Sequence, residues 1–568
     1  MIMAVLLVMC GAYLSRIVPE KRAMDTARFV LQSLGLAEAG ANQAVAELRK
    51  RIRGDLEDAV KEETNSNVYN DYVENNQSLE FLRDFAYTAG NIQFLVEGGQ
   101  ATLSLSNPNL GTSIAGSYNA TITVNKNGEP SHPSQTDTYI FPYKYTIEST
   151  GSITSFSPPF NKTVKLLQGA FTVTVRRETF AKYALFTNHH RMPSGTTVWF
   201  TANTNFTGPL HTNERFSFAN NPSGNFTAEV TQHLTTARFY NQGWPRLLNA
   251  DNNPPNDMPV FQAGFSRGVA EINLPSSVTQ QDLKKQATGD QNDGPWSSGI
   301  YLPNEAGALK GGIYIKGNAG NLTMSVNGNN QPVYTITQGS NIKSITVDYV
   351  NNQTIVANVL GEGGTPPGNY SDIPNGITNE GIIIYGNGGI GNFSGTVHPK
   401  TTAPSTPITV SSDSDITISN HIIYQNYTVG PPPSALPESN LLGILTWNGN
   451  VRIGASAPNN LNIHGIIMAS GGTGIFTVDN YASGSPRGTV TLLGGAITGF
   501  YGPFGTFSGS TPISGYGRNF VYDTRMLAGD TPPYFPITGL FTSSENQDAQ
   551  GIKDLDKRLI WQDTGAGD

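Results

Sequence analysis

The chain has 568 residues, with eight histidines and 43 Asp and Glu carboxylates as its main candidates for acid–base or metal chemistry. The densest group is Phe186-Thr-Asn-His-His190 followed by Gly208-Pro-Leu-His-Thr-Asn-Glu-Arg215, where His189, His190, His211 and Glu214 could be drawn as a metal cluster. No H-E-x-x-H spacing puts two imidazoles on one helix face, so the block reads better as a turn at Gly208-Pro209, with His211 and Asn213 bonding nearby backbone. Asp251-Asn-Asn-Pro-Pro-Asn-Asp257 offers oxygen ligands for calcium, but its two prolines break any EF-hand spacing and leave a plain turn. Asp413 and Asp415, two apart with His421 close behind, could form a carboxylate pair, and Asp479 and an Arg518/Asp523 pair are further candidates. Such clusters would serve acid–base work on a polysaccharide. Asp413-Ser-Asp415 follows Ser411 and Ser412 just before a strand, as a loop does. No G-x-S-x-G, P-loop or dinucleotide fingerprint stands in a fitting context. No residue is therefore assigned a catalytic or metal-binding role, no cofactor is expected, and the chain is read as a non-enzyme.

The elements that would position these groups follow from composition. Charged residues make up 14% of the chain, against about 25% in an average soluble domain, while Gly and Pro number 62 and 35. This is a turn-rich β profile with enough apolar surface to fold. The net charge of −8 ranks DNA below other ligands. The single cysteine, Cys10, lies in an apolar run, which excludes a disulfide scaffold. Of the 78 charged residues, 23 fall in the first 85 positions, so the architecture should change from helix to sheet there.

Five segments are expected. Residues 1–63 form a long helix, with a kink or local melting near Pro19. Within it Val45, Leu48, Ile52, Leu56 and Val60 recur at three- and four-residue steps as one apolar stripe. Residues 64–185 read as an antiparallel sheet in which Tyr145, Ile147, Phe171, Val173 and Val175 alternate with polar residues and face the stripe. Residues 186–310 are a loop-rich β region. Residues 311–536 carry short apolar strands flanked by Gly or Asn, such as Gly381-Ile-Ile-Ile-Tyr-Gly386 and Asn460-Leu-Asn-Ile-His-Gly465, a pattern suited to a β-solenoid, with a β-sandwich as runner-up. Residues 537–568 are a C-terminal tail. The expected class is α+β, mostly β: a long helix packed on an antiparallel sheet, then a large right-handed parallel β-helix-like domain.

The N-terminus runs Met1-Ile2-Met-Ala-Val5-Leu6-Leu7-Val8-Met-Cys-Gly-Ala-Tyr-Leu14 before Arg16, with Val18 and Pro19 closing the apolar half. Fourteen apolar residues are short of the roughly 20 a bilayer span needs. No basic n-region precedes the run and no A-x-A-like site ends it, against a cleaved secretory signal. This apolar helix, with a proline at its exit and Leu36-Ala-Glu-Ala-Gly-Ala-Asn-Gln-Ala44 beyond, resembles the N-terminal region of type IV pilin-like proteins. It is most similar to the large PilX-type minor pilins and pseudopilins. The resemblance extends to Tyr143–Gly151 with Lys165–Val175, to the Phe186 and Gly208 blocks, and to Leu441–Pro536, including Gly515–Asp523 and Pro532–Pro536. Many pilins carry glutamate at the fifth mature position, where this chain has Val5.

The resemblance implies a subunit held in the cytoplasmic membrane before assembly, processed by a prepilin peptidase, and polymerised through the residues from Met1 to Pro19 into an extracellular filament at the cell surface. Its partners would be copies of itself, other pilins, or both. Alternatives are a minor or tip pilin that binds a surface, a polysaccharide or DNA, and a membrane-anchored β-helix enzyme acting on polysaccharide.

Overall fold

Ala, Leu, Glu and Arg dominate the first sixty residues, and these strong helix formers build α1, Ile2–Lys50. A π-helical turn at Arg51–Asp55 leads without interruption into α2, Leu56–Glu62. The structure, a computed structural model, describes residues 2–63, 65–87, 92–107, 116–132, 138–153, 159–165, 169–201, 204–219, 224–241, 244–248, 259–398, 407–425, 427, 440–508, 511–528, 530–546 and 562–563. The protein is mostly β, with this long helix at its start. Pro19 lies inside the unbroken α1, so the local melting expected there does not occur. Proline removes one amide donor, and the remaining i→i−4 bonds hold the helix.

Two compact units are present: residues 1–178 with 539–568, and residues 179–538. In the first, two short helices, α3 (Ser66–Glu74) and α4 (Ser78–Phe85), precede the antiparallel strands β1 (Leu95–Glu97), β2 (Gln100–Asn107), β3 (Gly116–Lys126), β4 (Thr138–Ile153), β5 (Phe160–Lys165) and β6 (Gly169–Thr179). Strand β4 is long enough to pair β6 along its first half and β5 along its second. Its period-two pattern puts Tyr139, Phe141, Tyr143, Tyr145 and Ile147 in the core with Phe171, Val173 and Val175 of β6. The same core holds Val45, Leu48, Ile52, Leu56 and Val60.

The Ala-Glu-Ala-Gly stretch explains how helix and sheet approach. Ala37, Ala41 and Ala44 are buried, and a Cβ on Gly40 would strike Ser149 and come within 2.6 Å of the Tyr118 ring. Gly151 on β4 meets the helix backbone at Ser33 and Ala37 in the same way. Small residues on both surfaces thus set the closest contact, and larger ones fill the core further along. The expected tail is not separate: strand Ile537–Asn546 pairs β6, and Gln562–Asp563 pairs β5.

The second unit is built from parallel ladders. One stacks Ile313–Lys316, Ile382–Gly386, Ile408–Ser412, Leu442–Thr446, the ends of Asn462–Ala469 and Pro486–Phe500, then Leu185–His189, Leu210–Thr212, Val230–Gln232 and Phe265–Arg267. A second ladder joins Asn321–Val326, Ile390–Val397, Ile416–Tyr424, Val451–Ile453 and Phe476–Val478. A third uses the far ends of the 390 and 416 strands, the starts of the 462 and 486 strands, and Thr511–Val521. Parallel register brings like residues into columns: Ile384, Val410, Ile444, Ile467, Ala496 and Leu185 align and are all buried.

The strands at 382, 408 and 442 are buried at every position instead of alternating. This is the mark of a sheet covered on both faces. Helix Ser277–Thr288 packs on the 313 and 382 strands, and Pro532 and Phe535 lie against Gly443. The sequence leaves open whether 186–310 stands alone or belongs with 311–536; in the structure, strands between 185 and 267 continue the ladders of 313–521 within one compact unit. Here the rungs are lined by Phe200, Phe206, Phe216, Phe218, Phe226 and Phe239, whose rings contact one another. Residues 321–371 form an antiparallel meander that leaves the stack and returns to it.

Candidate functional site

Two surfaces of α1 behave differently. From Ser33 onward one face is buried on the sheet, while Val5, Leu6, Leu7, Val8, Leu14 and Val18 are 41–72% exposed. Met1 and the side chain of Ile2 lie outside the described residues. Exposed apolar side chains in succession on one helix form a patch that water disfavours, and such patches mark interaction surfaces. Arg16 and Glu20, an exposed i,i+4 pair at 3.7 Å, end the apolar half. Among the described residues no helix is long and apolar enough to cross a membrane.

The histidine block does not converge on a shared point. His211 Nε2 pairs Asn213 Oδ1 at 2.9 Å, and its Nδ1 pairs Thr231 Oγ1 at 2.8 Å. Asn213 then donates to the Ile272 carbonyl at 2.8 Å and accepts from the Ile272 amide at 3.0 Å. The bonds to neighbouring backbone expected of His211 and Asn213 are not the ones seen: His211 bonds side chains, and Asn213 bonds the backbone of a segment 59 residues away. His190 sits among the rings of Phe200, Phe216 and Tyr501, with its Nε2 buried and unpartnered. His189 and Arg191 both approach Glu214 Oε1, at 3.4 and 3.2 Å. Burial lowers the pKa of His190 to about 3 and of His211 to about 4. For His211 the Asn213 bond opposes burial, with Lys182 and His233 adding to it. Among the described residues no three His, Cys, Asp or Glu side chains gather to hold a metal. Asp251–Asp257 lies outside the described residues.

The carboxylates are likewise committed. Asp413 accepts from the Tyr385 hydroxyl and from Gln280 Nε2 at 2.6 Å. Asp415 accepts the Asn450 amide at 2.8 Å and pairs Arg452, which bridges to Asp479 at 2.8 Å. Asp413 and Asp415 therefore serve different partners. The expected Arg518/Asp523 pair is replaced: Asp523 binds Arg525 at 2.5 Å, while Arg518 lies over the Tyr501 ring. His421 Nδ1 accepts the Asn462 amide at 3.1 Å.

Two clusters escaped the sequence reading. Arg51, buried in the π-turn, bonds Glu47 at 2.8 Å and faces Asp55 at 3.5 Å. Glu47, Arg51 and Asp55 stand at four-residue steps, a visible signal, but their burial is not. Asp293 takes bonds from Tyr314, from Lys316 at 2.9 Å and from Lys284 at 3.0 Å. Burial opposes its ionisation, yet these bonds hold its carboxyl well below the usual range.

A family model described as a domain of unknown function (DUF4900) matches residues 138–233. The matched segment includes β4, β6 and the strands at 185, 210 and 230, and with them the whole histidine block. Searches of curated proteins and of solved structures return no match.

Proposed function

We propose that the chain is a structural subunit of an extracellular type IV pilus-like filament, polymerising through the apolar half of α1 and displaying its second unit for surface contact. The observation that carries this reading is the split character of α1. Its C-terminal half is anchored in a sheet by small-residue contacts, while Val5 to Val18 present apolar side chains to solvent. Packing copies of this half together would bury that surface, at about 25 cal/mol per Å². A heterologous contact that does not close on itself yields a helical polymer. The membrane stage before assembly, and processing by a prepilin peptidase, rest on the sequence resemblance. The apolar run falls short of a span, and it includes Met1, Ile2 and Ala4, whose side chains lie outside the described set.

The parallel ladders support reading the second unit as a β-solenoid, of the right-handed parallel β-helix kind. The size of this unit, 360 residues by its bounds of 179–538, favours one further role, a minor or tip pilin binding a surface or a polysaccharide. Asp413, Asp415, Asp479 and Asp523 each have a structural partner, which ranks a polysaccharide-active enzyme lower.

Electron microscopy of filaments sheared from cells, with mass spectrometry of the N-terminal peptide, tests the assignment. Filaments made mainly of this chain with a methylated N-terminus support a structural pilin. Trace amounts in filaments of another subunit support the minor or tip role. A chain found only unpolymerised in membranes would overturn the pilin assignment.

A further inference from the structure

The antiparallel meander of the second unit contains one residue that breaks its own pattern. Strand Asn341–Asp348 alternates, and Lys343, Ile345 and Val347 share its buried face. Lys343 is 1% exposed, a position where the pattern calls for an apolar side chain. On one side its register partner is the buried Ile336, and on the other it is Asn358 of the next strand. Among the described residues Lys343 has no ion-pair partner. Its Nζ is 2.6 Å from Asn358 Oδ1 and 2.7 Å from the Thr365 carbonyl. The pairing slips by one residue between Ile342 and Lys343, a bulge of the kind that re-aims a side chain.

An unpaired ammonium is costly to bury, and a group in that position gives up its proton more readily. Burial does lower the Lys343 pKa, with Glu362 opposing. A buried amine held against a carboxamide, with apolar residues beside it and little freedom to leave, is positioned for acyl transfer, since positioning supplies much of such a barrier.

We propose that Lys343 and Asn358 become joined by an intramolecular isopeptide bond. The lone pair of Nζ attacks Asn358 Cγ, the Cγ–Nδ2 bond breaks, and Nδ2 leaves as ammonia with the proton that Nζ gives up. No electrons are exchanged with an outside agent, and no cofactor enters. Glu362 is an acid whose charge reaches this amine, and the proton that Nζ gives up passes to Nδ2 as it leaves. The product replaces a buried titratable amine by a neutral amide and ties two neighbouring strands covalently across their hydrogen bonds. In a surface domain that meets force, such a bond would keep the meander from unzipping.

The test is the intact mass of the full purified chain under denaturing conditions, followed by proteolysis and tandem mass spectrometry. The expected mass is about 17 Da below that of the processed sequence, with a branched peptide joining the Lys343 and Asn358 segments. The Lys343→Arg and Asn358→Ala variants should each lose the branched peptide and regain the full mass. Because the wild-type chain is measured unfolded, the result stands even where a variant folds poorly. Finding Lys343 and Asn358 only in separate linear peptides would overturn the proposal. A 17 Da loss mapped to an Asn-Gly succinimide would do the same.

Discussion

Acidification should unfold the second unit through three histidines buried in neutral form. His190, His211 and His464 have pKa values lowered by burial from 6.5 to about 3, 4 and 4. The neighbouring charges are Arg518 for His190, Lys182 and His233 for His211, and Asp523, Arg525 and His421 for His464. Only Asp523 among these favours the protonated ring, and burial outweighs it. Because the folded chain holds the rings neutral, the unfolded chain binds more protons below pH 6.5, and stability falls as pH falls. The loss begins at the ordinary histidine value and ends only near pH 3–4, where the folded rings also protonate. Between about pH 7 and pH 5 each ring costs about 2 kcal/mol, or about 6 kcal/mol together, comparable to the whole stability of many domains.

Denaturant midpoints measured across that range should therefore drop steeply. His190→Phe is the informative variant, since the ring sits among Phe200, Phe216 and Tyr501 and its Nε2 bonds nothing. Its stability at pH 7 should fall by only about 1 kcal/mol, because the buried Thr187 hydroxyl loses its 3.3 Å contact with Nδ1, while about a third of the pH-dependent loss disappears. A wild-type midpoint that stays flat from pH 7 to pH 5, or an equal drop in wild type and variant, would refute the reasoning.

Other perturbations separate packing from assembly. Gly40→Val should destabilise the first unit by about 1–3 kcal/mol in thermal unfolding, because its side chain would press on Ser149 and Tyr118. Gly35→Ala, which meets open space on the same helix, should instead stabilise by up to about 1 kcal/mol. Phe218→Ala should lower the stability of the second unit by about 3–5 kcal/mol, since the ring packs against several other phenyl groups and is fully buried. Val8→Asp changes a side chain that is 72% exposed, so the fold should be kept, and under the proposed filament role the filament yield should be lost. Normal filaments from that variant would count against polymerisation through this helix.

The apolar stripe from Val45 to Val60 and the alternation in β4 and β6 were legible because helix and strand periods mark the buried face locally. The candidate groups were legible only as residue types. Nothing near Asp523 in sequence distinguishes Arg518 from Arg525 as its partner; which one reaches it depends on how strand Thr511–Val521 directs its side chains. The fate of Lys343 was equally hidden, because a lysine at an inward position looks like any polar residue until its strand has neighbours.

The sequence by itself determined the elements: a long helix, small residues where it approaches a sheet, and many short rungs bounded by Gly and Asn. Tertiary structure decided their order. The strand at 185 stacks on the one ending at 500, so the early rungs extend the late ones instead of preceding them. The physical reason is that parallel ladders pair backbone with backbone, and one buried Ile, Val or Leu column accepts another with little preference. Which rung meets which is fixed by the geometry of the whole stack, a property carried by no single segment.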